Sequence, residues 1–148
     1  MVVKTALVKQ VQGITFAGNT DSNHWVMMDG PAEFGGSNAG TRPKELLLLA
    51  LGGCTASDVI SILKKKRVEL EGFEIHITAK QRDEYPQVFT EIHLEYVIRG
   101  NDIRPEDVVQ AIELSESKYC SVSAMLRPAV PITWAYRIEP GRAARPAA

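Results

Sequence analysis

The chain has 148 residues, a formal net charge of -1 and 45% hydrophobic residues. This length and composition suffice for one buried core, and the near-neutral charge gives no general attraction to nucleic acid or to an anionic membrane surface. We expect one soluble domain over residues 1–138 and a disordered tail over residues 139–148. The N-terminus has no apolar run followed by a small-residue cleavage site, which favours a cytoplasmic location.

The first half of the chain predicts a meander followed by a long helix. Residues 4–28 alternate between apolar and polar side chains and are interrupted by turn residues, a pattern typical of three strands. A helix is expected over residues 41–66, with Thr41 as its N-cap. The segment 46–51 is apolar on every face, so the helix should be enclosed by other structure, yet six apolar residues are too few to span a membrane.

The second half predicts a hairpin, two helices and a strand. Apolar and polar side chains alternate over residues 73–82 and 89–98, which indicates a hairpin with one solvent-exposed face. A helix is expected over 105–119, then a break and a short helix, and a last strand over 132–138. This order favours an α+β fold with mostly antiparallel sheets. One chain of this length offers few elements to enclose so apolar a central helix. We therefore expect a homodimer that buries the helix between its subunits.

The sequence contains two cysteines, Cys54 and Cys120, too far apart for a CxxC motif and too few for a four-cysteine zinc site. Free cysteines commonly pack as small hydrophobic residues, and Cys54 lies mid-helix, far from the helix end. Gly52 and Gly53 cost about 1 kcal/mol each in a helix, which indicates that something approaches the backbone there. Cys120 precedes a short helix, whose free N–H groups are expected to lower its pKa.

Other cofactor signals are weak. The glycine-rich loop over residues 34–40 lacks the Lys-Ser/Thr of a phosphate-binding loop. His76 and His93 lie on the wet face of the hairpin among glutamates, where histidines are usually surface residues. We therefore expect neither a nucleotide cofactor nor a metal.

Two segments resemble a known family. Pro-Lys-Glu-Leu-Leu-Leu-Leu-Ala-Leu-Gly-Gly-Cys-Thr over residues 43–55, followed by Asp58-Val59, is similar to the central-helix motif of the OsmC/Ohr family of osmotically induced and organic-hydroperoxide-resistance proteins, and most of all to its YhfA-type branch. Tyr-Cys-Ser-Val-Ser over residues 119–123 resembles the family's second cysteine motif. The likeness extends to about Ile138. It implies an intertwined α+β homodimer and a peroxidase that uses two cysteines without metal or flavin.

The resemblance assigns roles to both cysteines. Cys54 matches the peroxidatic cysteine, and Cys120 matches the resolving cysteine. A Cys54 sulfenic acid would condense with Cys120 to a disulfide, which an external dithiol reduces. An apolar wall from Leu46 to Leu51 and Trp25 would suit a fatty or aryl hydroperoxide. The alternative is an OsmC-fold protein without efficient peroxidase activity that binds a small apolar or thiol ligand in the dimer cleft; composition alone is also compatible with a structural protein.

The activation of Cys54 departs from the family pattern. The family's peroxidases hold the thiolate with an arginine from the N-terminal strands, whereas this chain has no arginine before Arg42. Their helix glutamate is shifted by one position to Glu45. Nine helical steps place Glu45 about 13.5 Å along the axis from Cys54, so it would act only from the partner subunit. Lys44, Arg42 and Arg127 are the candidates for the missing cation.

Overall fold

The computed structural model describes residues 1–142, which form two compact units, Met1–Leu49 and the part that begins at Ala50. Residues 143–148 of the expected tail lie outside the described residues. The part of the tail that is described is ordered: Glu139 ends the last strand, and the Gly141 N–H donates to Asn101 Oδ1 at 3.2 Å. The assignment of residues 1–138 to a single OsmC-like domain stays a prediction.

The first unit contains the predicted meander. Strands β1 (Ala6–Gln12), β2 (Thr15–Thr20) and β3 (Trp25–Met28) pair in antiparallel fashion in that order. All seven residues of β1 are exposed, although its side chains alternate between the two faces of the sheet. Neither face of this strand is therefore covered within its unit.

A buried carboxylate organises the loop after β3. Asp29 accepts hydrogen bonds from Thr15 Oγ1 at 2.7 Å and from the backbone N–H groups of Gly30, Ser37 and Ala39 at 2.7, 3.1 and 3.1 Å. Burial opposes ionisation of Asp29, but these four donors outweigh it and lower its pKa to about 2. The ionised side chain thus ties the glycine-rich loop to β2.

The long helix α1 spans Glu45–Lys65, so it begins later than predicted. Thr41 is not its N-cap, because Thr41 forms a parallel bridge with Met28 and its carbonyl accepts from the Asp29 N–H at 3.2 Å. Glu45 Oε2 instead accepts from the Arg42 N–H at 3.1 Å. Glu45 therefore satisfies a free donor at the start of its own helix.

By length and apolar composition α1 is the one helix in residues 1–142 that could cross a membrane. The run 46–51 alone is too short for a span, whereas the small, weakly polar residues after it keep the whole helix apolar. This is weak support for a span, because the core helix of a soluble protein passes the same test.

The second unit contains a mixed three-stranded sheet. Strands β4 (Gly72–Gln81) and β5 (Phe89–Arg99) form the predicted hairpin, and β6 (Ile132–Glu139) pairs with β5 in parallel. Helices α2 (Pro105–Leu114) and α3 (Ser121–Leu126) supply the crossover that a parallel pair requires. Three of the four strand pairings in residues 1–142 are antiparallel, which confirms the predicted α+β class.

The core of the second unit lies between α1, β5 and α2. One face of α1 is buried at four-residue intervals, at Leu51, Thr55, Val59 and Leu63. Strand β5 is buried at alternate positions, at Ile92, Leu94, Tyr96 and Ile98. Helix α2 contributes a short buried stripe of Val108, Ala111 and Ile112. A Cβ at Gly52 would lie 2.7 Å from Ile77 Cδ1, which confirms the close approach predicted there. A Cβ at Gly53 would meet no atom of residues 1–142 within 4 Å beyond its chain neighbours and its own helix backbone.

Candidate active site

The second cysteine is positioned by a wide helical turn. After α2 the chain continues as a π turn over Ser115–Tyr119, in which the Cys120 N–H donates to the Ser115 carbonyl at 2.8 Å. Cys120 is then the N-cap of α3, and its sulfur accepts from the Ser123 N–H at 3.3 Å. The predicted break at Cys120 is confirmed, and π turns of this kind often occur at functional sites.

The structure brings the two cysteines together. The Sγ atoms of Cys54 and Cys120 and a carboxylate oxygen of Asp58 all lie within 4.8 Å of one another. Both thiols are free; Cys54 is partly exposed and Cys120 is 3% exposed. The sequence argument paired the cysteines through a resemblance but missed Asp58. The available signal was spacing, because Asp58 follows Cys54 by four residues and so lies one helical turn away on the same face.

The electrostatic expectation for Cys120 was wrong. Burial, the largest cause, raises the pKa of its thiol to about 12, and the Ser123 N–H only partly offsets it. A hydrogen bond to Cys54 and the negative charge of Glu116 favour the protonated thiol as well. One N–H group at a short helix cannot compensate for this desolvation. Cys120 is therefore a neutral thiol at physiological pH.

A chain of buried hydroxyl groups ends at the cysteine pair. Thr55 Oγ1 lies 2.7 Å from the Tyr96 hydroxyl and 2.8 Å from Ser115 Oγ, and Ser115 Oγ donates to Asp58 Oδ2 at 2.9 Å. Thr55, Tyr96 and Ser115 are fully buried. Burial strongly raises the pKa of Tyr96, so its phenol stays protonated. Helix α1, strand β5 and the π turn are thus joined by polar contacts inside an apolar core.

An ion pair between buried Glu116 and partly exposed Arg127 lies beside Cys120. Arg127 donates to Glu116 Oε2 at 2.5 Å, to the Glu116 carbonyl at 2.8 Å and to Ser123 Oγ at 2.9 Å. Ser123 Oγ also donates to Glu116 Oε2 at 3.0 Å. Glu116 is 8% exposed, and its Oε1 has no hydrogen-bond partner among the described residues. The guanidinium of Arg127 is therefore directed to Glu116.

The other predicted activating residues belong to the first unit. The Arg42 guanidinium donates to Asn38 Oδ1 at 2.6 Å and to the Gly40 carbonyl at 3.2 Å, and Glu45 accepts from the Arg42 backbone. Lys44 immediately precedes α1. The guanidinium contacts given above for Arg42 and Arg127 are with other groups than Cys54, and the role of each predicted cation stays a prediction.

The family can now be established. The chain matches the family model described as OsmC-like protein over residues 35–135. It is also 42% identical over 136 residues to Protein YhfA of Escherichia coli strain K12, an alignment that covers 90% of this chain and 96% of that protein. The chain belongs to the OsmC family. The resemblance inferred from the two cysteine motifs is confirmed.

Solved structures agree with the fold. A hypothetical protein from Aquifex aeolicus VF5 superposes with a TM-score of 0.79 at 34% identity, over 94% of this chain and 99% of that one. An organic hydroperoxide resistance protein OsmC from Legionella pneumophila gives a TM-score of 0.67 at 14% identity, over 92% and 97%. At that identity the Legionella structure shows the shared fold alone.

The cysteine cluster also has the ligand types of a metal site. Two thiol sulfurs and a carboxylate oxygen suit a thiophilic ion such as Zn²⁺, with water as a fourth ligand. The histidines considered from the sequence make other contacts: His76 Nε2 lies 2.9 Å from Glu74 Oε2, and His93 Nδ1 lies 2.8 Å from Thr133 Oγ1. A bound ion would occupy both thiols and so compete with disulfide formation.

Proposed function

We propose that this OsmC-family protein is a thiol-dependent peroxidase that reduces organic hydroperoxides through Cys54 and Cys120. The observation that supports this most is the approach of the two sulfurs to within 4.8 Å inside one chain. A disulfide bond is about 2.05 Å long, so its formation requires a closure of less than about 3 Å. Side-chain rotation of the partly exposed Cys54 can supply most of this movement.

The proposed cycle conserves atoms and electrons. The Cys54 sulfur attacks one peroxide oxygen, the O–O bond breaks, and an alcohol leaves after taking up a proton. The resulting sulfenic acid reacts with Cys120, an S–S bond forms, and water leaves. An external dithiol then reduces the disulfide in two exchange steps. The chain needs no cofactor for this sequence, because the hydroperoxide is the oxidant and the dithiol is the reductant.

The substrate class and assembly are part of the same proposal. Leu47, Leu49 and Ile60 on α1 are 44%, 61% and 41% exposed, and the whole of β1 is exposed. These apolar surfaces support a homodimer that covers them and an apolar rather than a small hydrophilic peroxide. Light scattering at micromolar concentration should give twice the chain mass. We expect Leu49→Lys to weaken the dimer and Val88→Lys, in the β4–β5 loop, to leave it intact.

Titration of the reduced protein tests the activity. One equivalent of an aryl hydroperoxide should remove two thiols and form one disulfide, and hydrogen peroxide should react more slowly. Cys54→Ser should abolish the reaction, whereas Cys120→Ser should consume one equivalent and stop. Ser57→Ala, on the exposed side of α1, is the matched control and should behave as wild type. Unreacted Cys54 at high peroxide would contradict the proposal.

One observation favours the alternative function. Asp58 places a carboxylate within 4.8 Å of both sulfurs, where the resemblance to the family's peroxidases predicts a cation. An OsmC-fold protein with this arrangement that binds a small apolar or thiol ligand would show saturable ligand binding without peroxide consumption. The same titration, followed by a binding measurement with the unreactive protein, separates the two functions.

A further inference from the structure

Asp58 is an ionisable group at the cysteine pair to which the proposed cycle gives no role. It lies one turn of α1 after Cys54, and one of its oxygens is within 4.8 Å of both sulfurs. Ser115 Oγ donates to its Oδ2 at 2.9 Å. Asp58 is only partly buried, so water can reach the carboxylate. The group is therefore placed to exchange protons with the thiols and with solvent.

The chain of buried hydroxyl groups points toward Asp58. Ser115 has a single hydroxyl proton and gives it to Asp58, so Thr55 must donate to Ser115 and Tyr96 must donate to Thr55. Three fully buried hydroxyl groups thus point their protons, one after another, toward the carboxylate. Asp58 is thus the acceptor at the end of this chain, and the hydrogen bond from Ser115 holds its orientation.

The second step of the cycle needs a proton acceptor. Only a thiolate attacks sulfur efficiently, and burial of Cys120, which is 3% exposed, opposes its ionisation and keeps its proton away from solvent. Among residues 1–142, the charged and titratable groups around Cys120 include Cys54, Asp58, Tyr96 and the Glu116–Arg127 pair. Arg127 and Ser123 already hold Glu116 Oε2, whereas Asp58 is the carboxylate within 4.8 Å of both sulfurs.

We propose that Asp58 is the general base of disulfide formation, a role that rests on the proposed peroxidase cycle. Its carboxylate takes the proton of the Cys120 thiol as the Cys120 sulfur attacks the Cys54 sulfur. The S–S bond forms, the S–O bond of the sulfenic acid breaks, and the departing hydroxide leaves as water with the proton from Asp58. Asp58 returns to its starting state, and Ser115 acts as a positioning residue through its hydrogen bond.

A mixed disulfide isolates this step from peroxide chemistry. Reduced protein is treated with equimolar dithiobis(nitrobenzoate), which forms an aryl disulfide at the more exposed Cys54 and releases one coloured thiolate. Attack by Cys120 then releases a second coloured thiolate in a unimolecular step that also requires deprotonation of Cys120. The same variants are followed in a single turnover with an aryl hydroperoxide, where peroxide loss and disulfide formation are recorded separately.

Asp58→Asn should slow the second release on the order of 100-fold while the first release stays unchanged. Its rate should rise tenfold per pH unit between about pH 6 and pH 9, because the variant depends on the spontaneous thiolate, whereas the wild-type rate should be much flatter. Asp58→Glu should restore part of the rate. Asp102→Asn removes an exposed carboxylate in the β5–α2 loop at a left-handed position that asparagine tolerates, and should match wild type.

Three outcomes would overturn the assignment. The first is an unchanged rate of the second release in Asp58→Asn. The second is a slowed release in Asp58→Asn that keeps the wild-type pH dependence. The third is a flat pH profile that is lost in Glu116→Gln and kept in Asp58→Asn. Failure of the proposed function gives a different result: the wild type consumes no hydroperoxide, while Asp58→Asn still slows the aryl release and steepens its pH dependence. In that case the base role holds for disulfide exchange, and the peroxidase proposal falls.

Discussion

Replacement of Thr55 by valine is the sharpest test of the polar network in the core. Valine has nearly the same shape as threonine but no hydroxyl group, so the change leaves the packing of α1 almost intact. Thr55 is fully buried and bridges the Tyr96 hydroxyl and Ser115 Oγ at 2.7 and 2.8 Å. Thr55→Val therefore removes two hydrogen bonds in a single step.

The magnitude follows from those two contacts. Each neutral hydrogen bond contributes about 1 kcal/mol net, and a buried donor left without a partner costs about 1–3 kcal/mol. The Tyr96 phenol is the group left without its partner, since Ser115 still donates to Asp58. We expect a loss of roughly 2–4 kcal/mol in the free energy of unfolding. For a chain of this size that corresponds to a Tm about 5–15 °C lower.

Denaturant unfolding of the reduced protein at one fixed concentration measures this change, since a dimer makes stability depend on concentration. The control is Thr78→Val on the exposed face of β4, where the hydroxyl is near solvent and valine suits a strand. The control should stay within about 0.5 kcal/mol of wild type. If Thr55→Val does the same, the network does not stabilise the fold and the reasoning fails.

Three further predictions concern other parts of the chain. Gly53→Ala should stabilise a monomer by about 0.5–1 kcal/mol, because the added Cβ would meet no atom of the described residues within 4 Å outside its own helix, but it should weaken a dimer that packs on that face. Sedimentation at several concentrations separates these two effects. Asp29→Asn should lower Tm at pH 7. The pKa of Asp29 is about 2 in the folded state and about 3.9 in the unfolded state, so thermal melts should show the difference from wild type vanishing as pH falls from about 4 to about 2. An alkylating reagent should modify Cys54 before Cys120, which is buried with a pKa of about 12; peptide mass mapping would contradict this if Cys120 reacted first.

Patterns with a local physical cause were predictable from the sequence. Alternation in residues 89–98 identified the buried face of β5, since Ile92, Leu94 and Tyr96 must share one side of a strand. Gly52 predicted a close approach, and Ile77 supplies it. The start of α1 was wrong because the bridge between Thr41 and Met28 is a tertiary contact that capping preferences do not contain.

The site was harder to predict because its properties depend on burial. Helix-end reasoning gave the wrong direction for the pKa of Cys120, since the cost of desolvation depends on neighbours that are distant in sequence. Tyr96 lies 41 residues after Thr55 and Ser115 lies 60 residues after it, and no spacing rule joins the three. Asp58 was within reach of sequence reasoning, because four residues from a cysteine in a helix is a recognisable distance.

The π turn at Ser115–Tyr119 has a consequence for how redox competence can be gained or lost. Its i to i+5 hydrogen bond accommodates one residue more than a regular α-helical turn. Deleting one residue such as Lys118 would let α2 continue as an α-helix and rotate Cys120 by about 100° relative to Ser115. Both cysteines and the hydroxyl chain would remain in the sequence. A single codon in a segment that contains neither cysteine would then determine whether the two thiols meet.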